Sequence, residues 1–213
     1  MGCMPSSRRG ASSVRPAVAH LVPRAAGGRR LTRLPKSASA ESGPPSGSEP
    51  PDAVGEHGVG LRLDCRALLV GSSGGHLTQL RALTDLWPVS RRAWVTFDTP
   101  DAVSILGDEA VVWAHHPTTR NLVNLARNTV LAWRVMSRWR PDVVLSTGAG
   151  VALPFFLIAA LLRVPTVYIE VYDRIDTPTL TGRLCRPLAS LFLVQWEQQL
   201  AFYPKAIVVG PLL

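Results

Sequence analysis

The chain has 213 residues, 46% of them hydrophobic, and a formal net charge of +8, enough for one domain with a core of its own. All 14 aromatic residues lie after residue 66, and the first 66 positions carry 26 Gly, Pro and Ser. The first 66 residues also hold ten Lys and Arg against five acids, so the basic balance is largely theirs. It does not mark the remainder as a nucleic-acid binder, and no nucleic acid is expected as a partner.

A segment of that composition cannot bury enough apolar surface to offset its chain entropy, so residues 1–66 are expected to form a disordered basic tail. Residues 1–36 hold eight Lys and Arg and no acid, which fits an organelle transit peptide, a basic arm drawn to phospholipid, or a spurious extension of the reading frame. Met1-Gly2-Cys3-Met4-Pro5-Ser6 matches the loose myristoylation pattern. No apolar run of signal-peptide length follows the N-terminus, so neither a secretory signal nor an N-terminal membrane anchor is expected. The three cysteines, Cys3, Cys65 and Cys185, form no CxxC pair, and neither a disulfide framework nor a zinc set is expected.

From residue 67, short apolar runs alternate with helical patterns, as in βαβ units around a mostly parallel sheet. Strands are predicted at 67–70, 93–97, 110–113, 142–146, 166–170, 191–194 and 206–209. The uncharged stretch Val143 to Leu162 is long enough to cross a bilayer. Ser146-Thr147-Gly148-Ala149-Gly150 and Pro154 divide it into strand, loop and helix, and that is the reading adopted. A long helix is predicted over Asn121 to Trp139, with Leu122, Leu125, Ala126, Trp133 and Met136 as its apolar face. Arg120, Arg127, Arg134 and Arg138 fall within about 40° of one another on another side. This stripe is either a solvated face or a contact for anionic lipid, with Trp133 and Trp139 as interfacial anchors.

Two glycine loops follow predicted strands. In Gly71-Ser72-Ser73-Gly74-Gly75-His76, bare backbone and a helix start suit an anion such as a diphosphate, and Ser72, Ser73 and Thr78 add hydroxyls. No Gly-Lys-Ser/Thr follows, and the G-x-G-x-x-G register is absent. Thr147, Gly148 and Gly150 repeat the device at the same sheet edge, where α/β proteins bind ligands. His76 is either a general base for a sugar hydroxyl or a residue that only ties down the loop. Glu170, Asp173 and Asp176 lie beside that edge, either orienting His76 or substrate, or pairing Arg174 and Arg183. A nucleotide-binding oxidoreductase is disfavoured, since only Asp98 approaches a ribose-binding acid.

GSSGGHLTQL, STGAGVALPFF, YIEVYDRIDTPTLTGRL and LFLVQWEQQLAFYPKAIVVG resemble, in that order, the acceptor-side, membrane-recruiting subunit of the two-subunit UDP-N-acetylglucosamine transferase of lipid-linked oligosaccharide synthesis. WVTFDTPDA, WAHHPTTRNL and DRIDTPTLTGRL look like its bacterial capsule and exopolysaccharide branch. The resemblance covers about 67–213 and implies a Rossmann-like α/β half domain, equivalent to the N-terminal half of a GT-B glycosyltransferase. It implies a separate donor-binding partner chain, a lipid-linked saccharide acceptor, and peripheral attachment to the cytoplasmic face of a bacterial cell membrane. On it, Gly74 and Gly75 meet the acceptor diphosphate, His76 is the base and Glu170 supports it. Asp173 joins the acceptor site, and Gln195, Trp196 and Tyr203 belong to the region of subunit contact. No cofactor and no metal are expected, and the isolated chain is expected to be inactive. A non-catalytic scaffold that recruits and activates the partner is the alternative.

Overall fold

The computed structural model describes residues 8–21 and 63–213. Seven strands form one sheet in the order β3-β2-β1-β4-β5-β6-β7: β1 Ala67–Val70, β2 Arg92–Phe97, β3 Val111–Ala114, β4 Val143–Ser146, β5 Thr166–Ile169, β6 Leu191–Val194 and β7 Ile207–Val208. Every pairing is parallel. The strand order reverses at the β1–β4 pair, the Rossmann arrangement read from the alternating pattern. β1, β4 and β5 are buried along their whole length, which is why their sequences are continuous apolar runs without a polar face.

Six helices complete the described residues: α1 Arg8–Leu21, α2 Gly75–Arg81, α3 Pro100–Leu106, α4 Leu122–Trp139, α5 Ala152–Leu162 and α6 Leu180–Cys185. One core layer holds Leu69, Leu77, Trp87, Trp94 and Leu193. The opposite layer holds Leu68, Ala132, Met136, Phe155 and Tyr168. The stretch 143–162 is strand, loop and an 11-residue helix, and no helix of the described residues is long and apolar enough to cross a membrane.

Two expectations change. Residues 8–21, read as part of a disordered tail, form α1, whose Val14 and Val18 are fully buried in the first core layer. Spacing of four puts both valines on one helix face, so a short stripe suffices without aromatics. The lipidation pattern at Gly2 and Cys3 and the rest of the tail lie outside the described residues.

In α4 the buried positions are Asn124, Asn128, Ala132, Val135, Met136 and Trp139. Leu122 is 79% exposed and Trp133 51%, so the stripe predicted to pack inward is in part the outer face. Trp139 is buried and is no interfacial anchor.

Candidate functional site

The two glycine loops leave the same edge of neighbouring strands, since Val70 of β1 lies in register with Ser146 of β4. Buried Ser146 ends its strand by accepting, through Oγ, the Gly148 N–H at 2.9 Å. The chain then turns through Gly148 at φ 113° and Ala149 at φ 64°. A Cβ on Gly148 would stand 2.8 Å from the Tyr168 hydroxyl and 3.3 Å from His76 Cε1. The glycine therefore serves both backbone geometry and the close approach of His76.

His76 and Thr147 bind each other reciprocally. His76 Nδ1 lies 2.9 Å from the Thr147 carbonyl, and Thr147 Oγ1 donates to the His76 carbonyl at 2.9 Å. A carbonyl only accepts, so Nδ1 carries the proton, and the neutral ring keeps its lone pair on Nε2. Burial pushes the His76 pKa below 6.5, against the opposing pull of the Thr147 carbonyl and Asp173. The ring is thus held in the tautomer and charge state that can take a proton.

Several loop donors have partners within the chain. The Gly74 N–H donates to Asp101 Oδ2 at 2.9 Å, Thr78 Oγ1 donates back to the Gly74 carbonyl at 3.1 Å, and Ser72 Oγ donates to the Ser73 carbonyl at 3.3 Å. Gly74 and Gly75 are exposed at the loop tip. Gly71 is buried, and a Cβ there would lie 2.9 Å from Leu80 Cδ1. It serves the packing of α2 on β1, and the same Cβ would stand 3.6 Å from Thr147 Oγ1 and 3.7 Å from His76 Cβ. Gly150 lies under Thr118, whose Oγ1 a Cβ would approach at 3.0 Å, so the 115–121 segment after β3 closes the second loop.

Glu170 does not orient His76. It is fully buried, and its carboxylate is enclosed by its own donors: Tyr203 OH at 2.6 Å, Thr179 Oγ1 at 3.0 Å and the Val171 N–H at 3.3 Å. Burial outweighs these donors and raises its pKa above the ordinary 4.5. Thr179 also caps α6 through the Gly182 N–H at 2.9 Å. A Cβ on Gly182 would collide with Glu170 Oε2. Glu170 thus fastens β5, α6 and Tyr203 together, and the role predicted for it falls to the Thr147 carbonyl.

The segment between Glu170 and Thr179 carries Asp173, exposed and close enough to act on His76. Gln199 Nε2 donates to the carbonyls of Val171 and Arg174, and Trp196 Nε1 to that of Tyr172 at 2.7 Å. The ion pairs of the described residues lie elsewhere, at Asp64, Glu109 and Asp142, so the acidic group does not pair Arg174 or Arg183.

Gln195 and Tyr203, expected at a subunit contact, are 1% and 2% exposed. Gln195 bridges Gln79, the Glu170 carbonyl and the Leu212 N–H. Gln195 is thus an internal fastener, and the Tyr203 hydroxyl is turned in to Glu170. Half-buried Trp196 remains at the surface. Two concavities of about 260 Å³ each are lined between them by exposed Arg183, Arg186 and Lys205, with Tyr203 in the wall of both. Sequence reasoning missed Asp101, Thr118, Asn124 and Asn128. Only the asparagines left a signal, as two amides interrupting the helical period at a spacing of four.

Residues 114–212 match the family model described as oligosaccharide biosynthesis protein Alg14 like. The UDP-N-acetylglucosamine transferase subunit ALG14 of Homo sapiens is 30% identical over 67% of this chain and 81% of its own length. That of Mus musculus is 27% identical over 74% and 87%. Among solved structures, MurG of Acinetobacter baumannii shares the fold, with a TM-score of 0.56 at 18% identity over 68% of this chain. The chain spans 45% of that structure. With the sheet order, the paired glycine loops and these likenesses in agreement, the chain belongs to the family of Alg14-like oligosaccharide biosynthesis proteins.

Proposed function

We propose that this chain is the acceptor-binding, membrane-associated subunit of a heteromeric glycosyltransferase. The pair transfers N-acetylglucosamine, or another hexose or uronic acid, from a UDP-sugar to a lipid-diphosphate-linked saccharide. The observation that carries this reading is His76, tied by Nδ1 to the Thr147 carbonyl across two glycine loops. Its Nε2 is left basic at the sheet edge where α/β folds hold ligands. Exposed Gly74 and Gly75, with Asp173, line the acceptor side of that cleft. The relatives' printed name, a transferase subunit, supports a separate donor-binding chain. Trp196 and the groove bearing Arg183, Arg186 and Lys205 are the surface offered to it.

Membrane attachment falls to α4. Leu122, Ala126, Val130 and Trp133 are exposed and fall within about 80° of one another. Arg127, Arg134 and Arg138 are exposed beside them. An apolar stripe bordered by cations suits the interface of an anionic bilayer on the cytoplasmic face. A bacterial polysaccharide acceptor is favoured by the wording of residues 94–102, 113–122 and 173–184.

The test is reconstitution with a donor-side partner chain, a UDP-sugar and a lipid-diphosphate acceptor. The isolated chain is expected to transfer nothing and the pair to turn over. His76→Ala is expected to lower kcat by about 10²-fold or more, the scale of lost general-base catalysis, without weakening partner binding. Robust turnover by the isolated chain overturns the heteromer. Unchanged turnover in His76→Ala makes the chain a scaffold instead.

A further inference from the structure

Asn124 and Asn128 occupy the buried face of α4, where the helical period calls for apolar side chains. They are 6% and 0% exposed. Asn128 accepts the His115 N–H through Oδ1 and donates to the His115 carbonyl through Nδ2, both at 2.9 Å. Asn124 Nδ2 donates to the Pro117 carbonyl at 2.9 Å, and its Oδ1 accepts from Arg127 Nη1 at 3.4 Å. Asn121 Oδ1 caps the helix through the Asn124 N–H at 2.9 Å. A buried amide is tolerated only when its groups are matched, and here every partner but Arg127 lies in the segment entering α4. That segment carries Thr118, which sits on Gly150 of the second glycine loop. One continuous set of contacts therefore runs from Arg127 on the outer side of α4, through two buried amides, to the second glycine loop.

We infer that Asn124 and Asn128 are positioning residues, which register the 115–120 loop and the second glycine loop to the lipid-facing helix. A bilayer-seated acceptor then meets His76 at a set depth. This rests on the acceptor and membrane roles proposed above. The ligand that works the coupling is an anionic phospholipid surface. Leucine at either position keeps the branched shape, with a larger volume, and removes the hydrogen bonds. Asn128→Asp keeps the acceptor for His115 N–H and loses the donor.

The test places an environment-sensitive fluorophore on Thr119→Cys of the full chain in a Cys3→Ser background. Vesicles of equal parts phosphatidylglycerol and phosphatidylcholine are then added. The native clamp is expected to report vesicle binding as an emission shift. Asn128→Leu and Asn124→Leu are expected to lose the shift while still sedimenting with the vesicles, and Asn128→Asp to retain part of it. Where the leucine variants do not fold, Asn128→Asp alone decides: an undiminished shift overturns the inference.

In the reconstituted pair, Asn128→Leu is expected to raise KM for a bilayer-borne acceptor about tenfold, the equivalent of one lost hydrogen bond. kcat should hold, as should the KM of a short-chain water-soluble acceptor. A silent probe on vesicle-bound native protein, an absence of vesicle binding, or equal losses with both acceptors overturns the inference. A responsive probe in a pair that transfers no sugar supports the coupling and sinks the transferase reading instead.

Discussion

Glu170, enclosed in the core, and His76, at the sheet edge, show how burial shifts the protonation of single residues in opposite directions. Because burial raises the Glu170 pKa above 4.5, its contribution to stability is fully present below that value. It is lost as pH rises through the raised folded value. Glu170→Gln is therefore expected to flatten the decline in Tm as pH rises above 4.5, read by a series of thermal melts across that rise. The sign is opposite for His76. Its folded pKa lies below 6.5, so the neutral ring persists into mild acid, and stability falls as pH drops below 6.5. The acid limb of kcat/KM for the reconstituted pair should accordingly bend below pH 6.5. Gly182→Ala drives a methyl into the Glu170 carboxylate and to within 2.6 Å of the Tyr203 hydroxyl. It should cost about 1–3 kcal/mol, the usual range for overpacking, in a denaturant titration.

Among the elements, the loop after β4 and helix α4 are where the proposed function is most open to test. Gly148 is left-handed at φ 113° and packed on Tyr168 and His76, so alanine there strains the backbone and displaces the ring together. Gly148→Ala is expected to lower kcat of the reconstituted pair more than it raises the KM for acceptor. Tyr168 is itself held from below by stacking on Phe192 at 4.9 Å, which in turn meets Tyr203 at 4.4 Å. For α4, replacing Arg127, Arg134 and Arg138 together by Gln should weaken binding to anionic vesicles at low salt. Each cation is worth about 1 kcal/mol near such a surface, and the difference should shrink in high salt. Equal binding by the two proteins would remove the membrane role of this helix.

At the scale of the whole molecule, α1 ties the N-terminal segment to the sheet by packing on β6, far along the chain from its own position. Val14 and Val18 are fully buried, and full burial of such side chains is worth about 1.5–3 kcal/mol each as an upper bound. Val14→Asp is expected to lower Tm measurably in the otherwise intact chain. An unchanged Tm would make α1 a surface appendage. The parallel sheet sets two glycine loops at its switch point, with a basic-edged apolar helix on one flank, and on the proposed function these are the acceptor-diphosphate and membrane sides of the molecule.

The sequence by itself determined the sheet, its strands to within a residue or so, and that two glycine loops leave one sheet edge. Buried parallel strands must be continuous apolar runs, and a glycine loop between strand and helix is legible as local chemistry. It also put His76 and Thr147 in two loops at one sheet edge. It could not show that they bind each other, because that bond joins residues 71 positions apart. Tertiary structure alone decided that Glu170 and Gln195, just past strand ends, and Tyr203, in a loop, are buried, since polar residues in such places read the same whether partners or solvent satisfy them. It also decided the inner face of α4. Two asparagines that look solvent-facing by type are buried, because their hydrogen bonds to a neighbouring loop offset the loss of water.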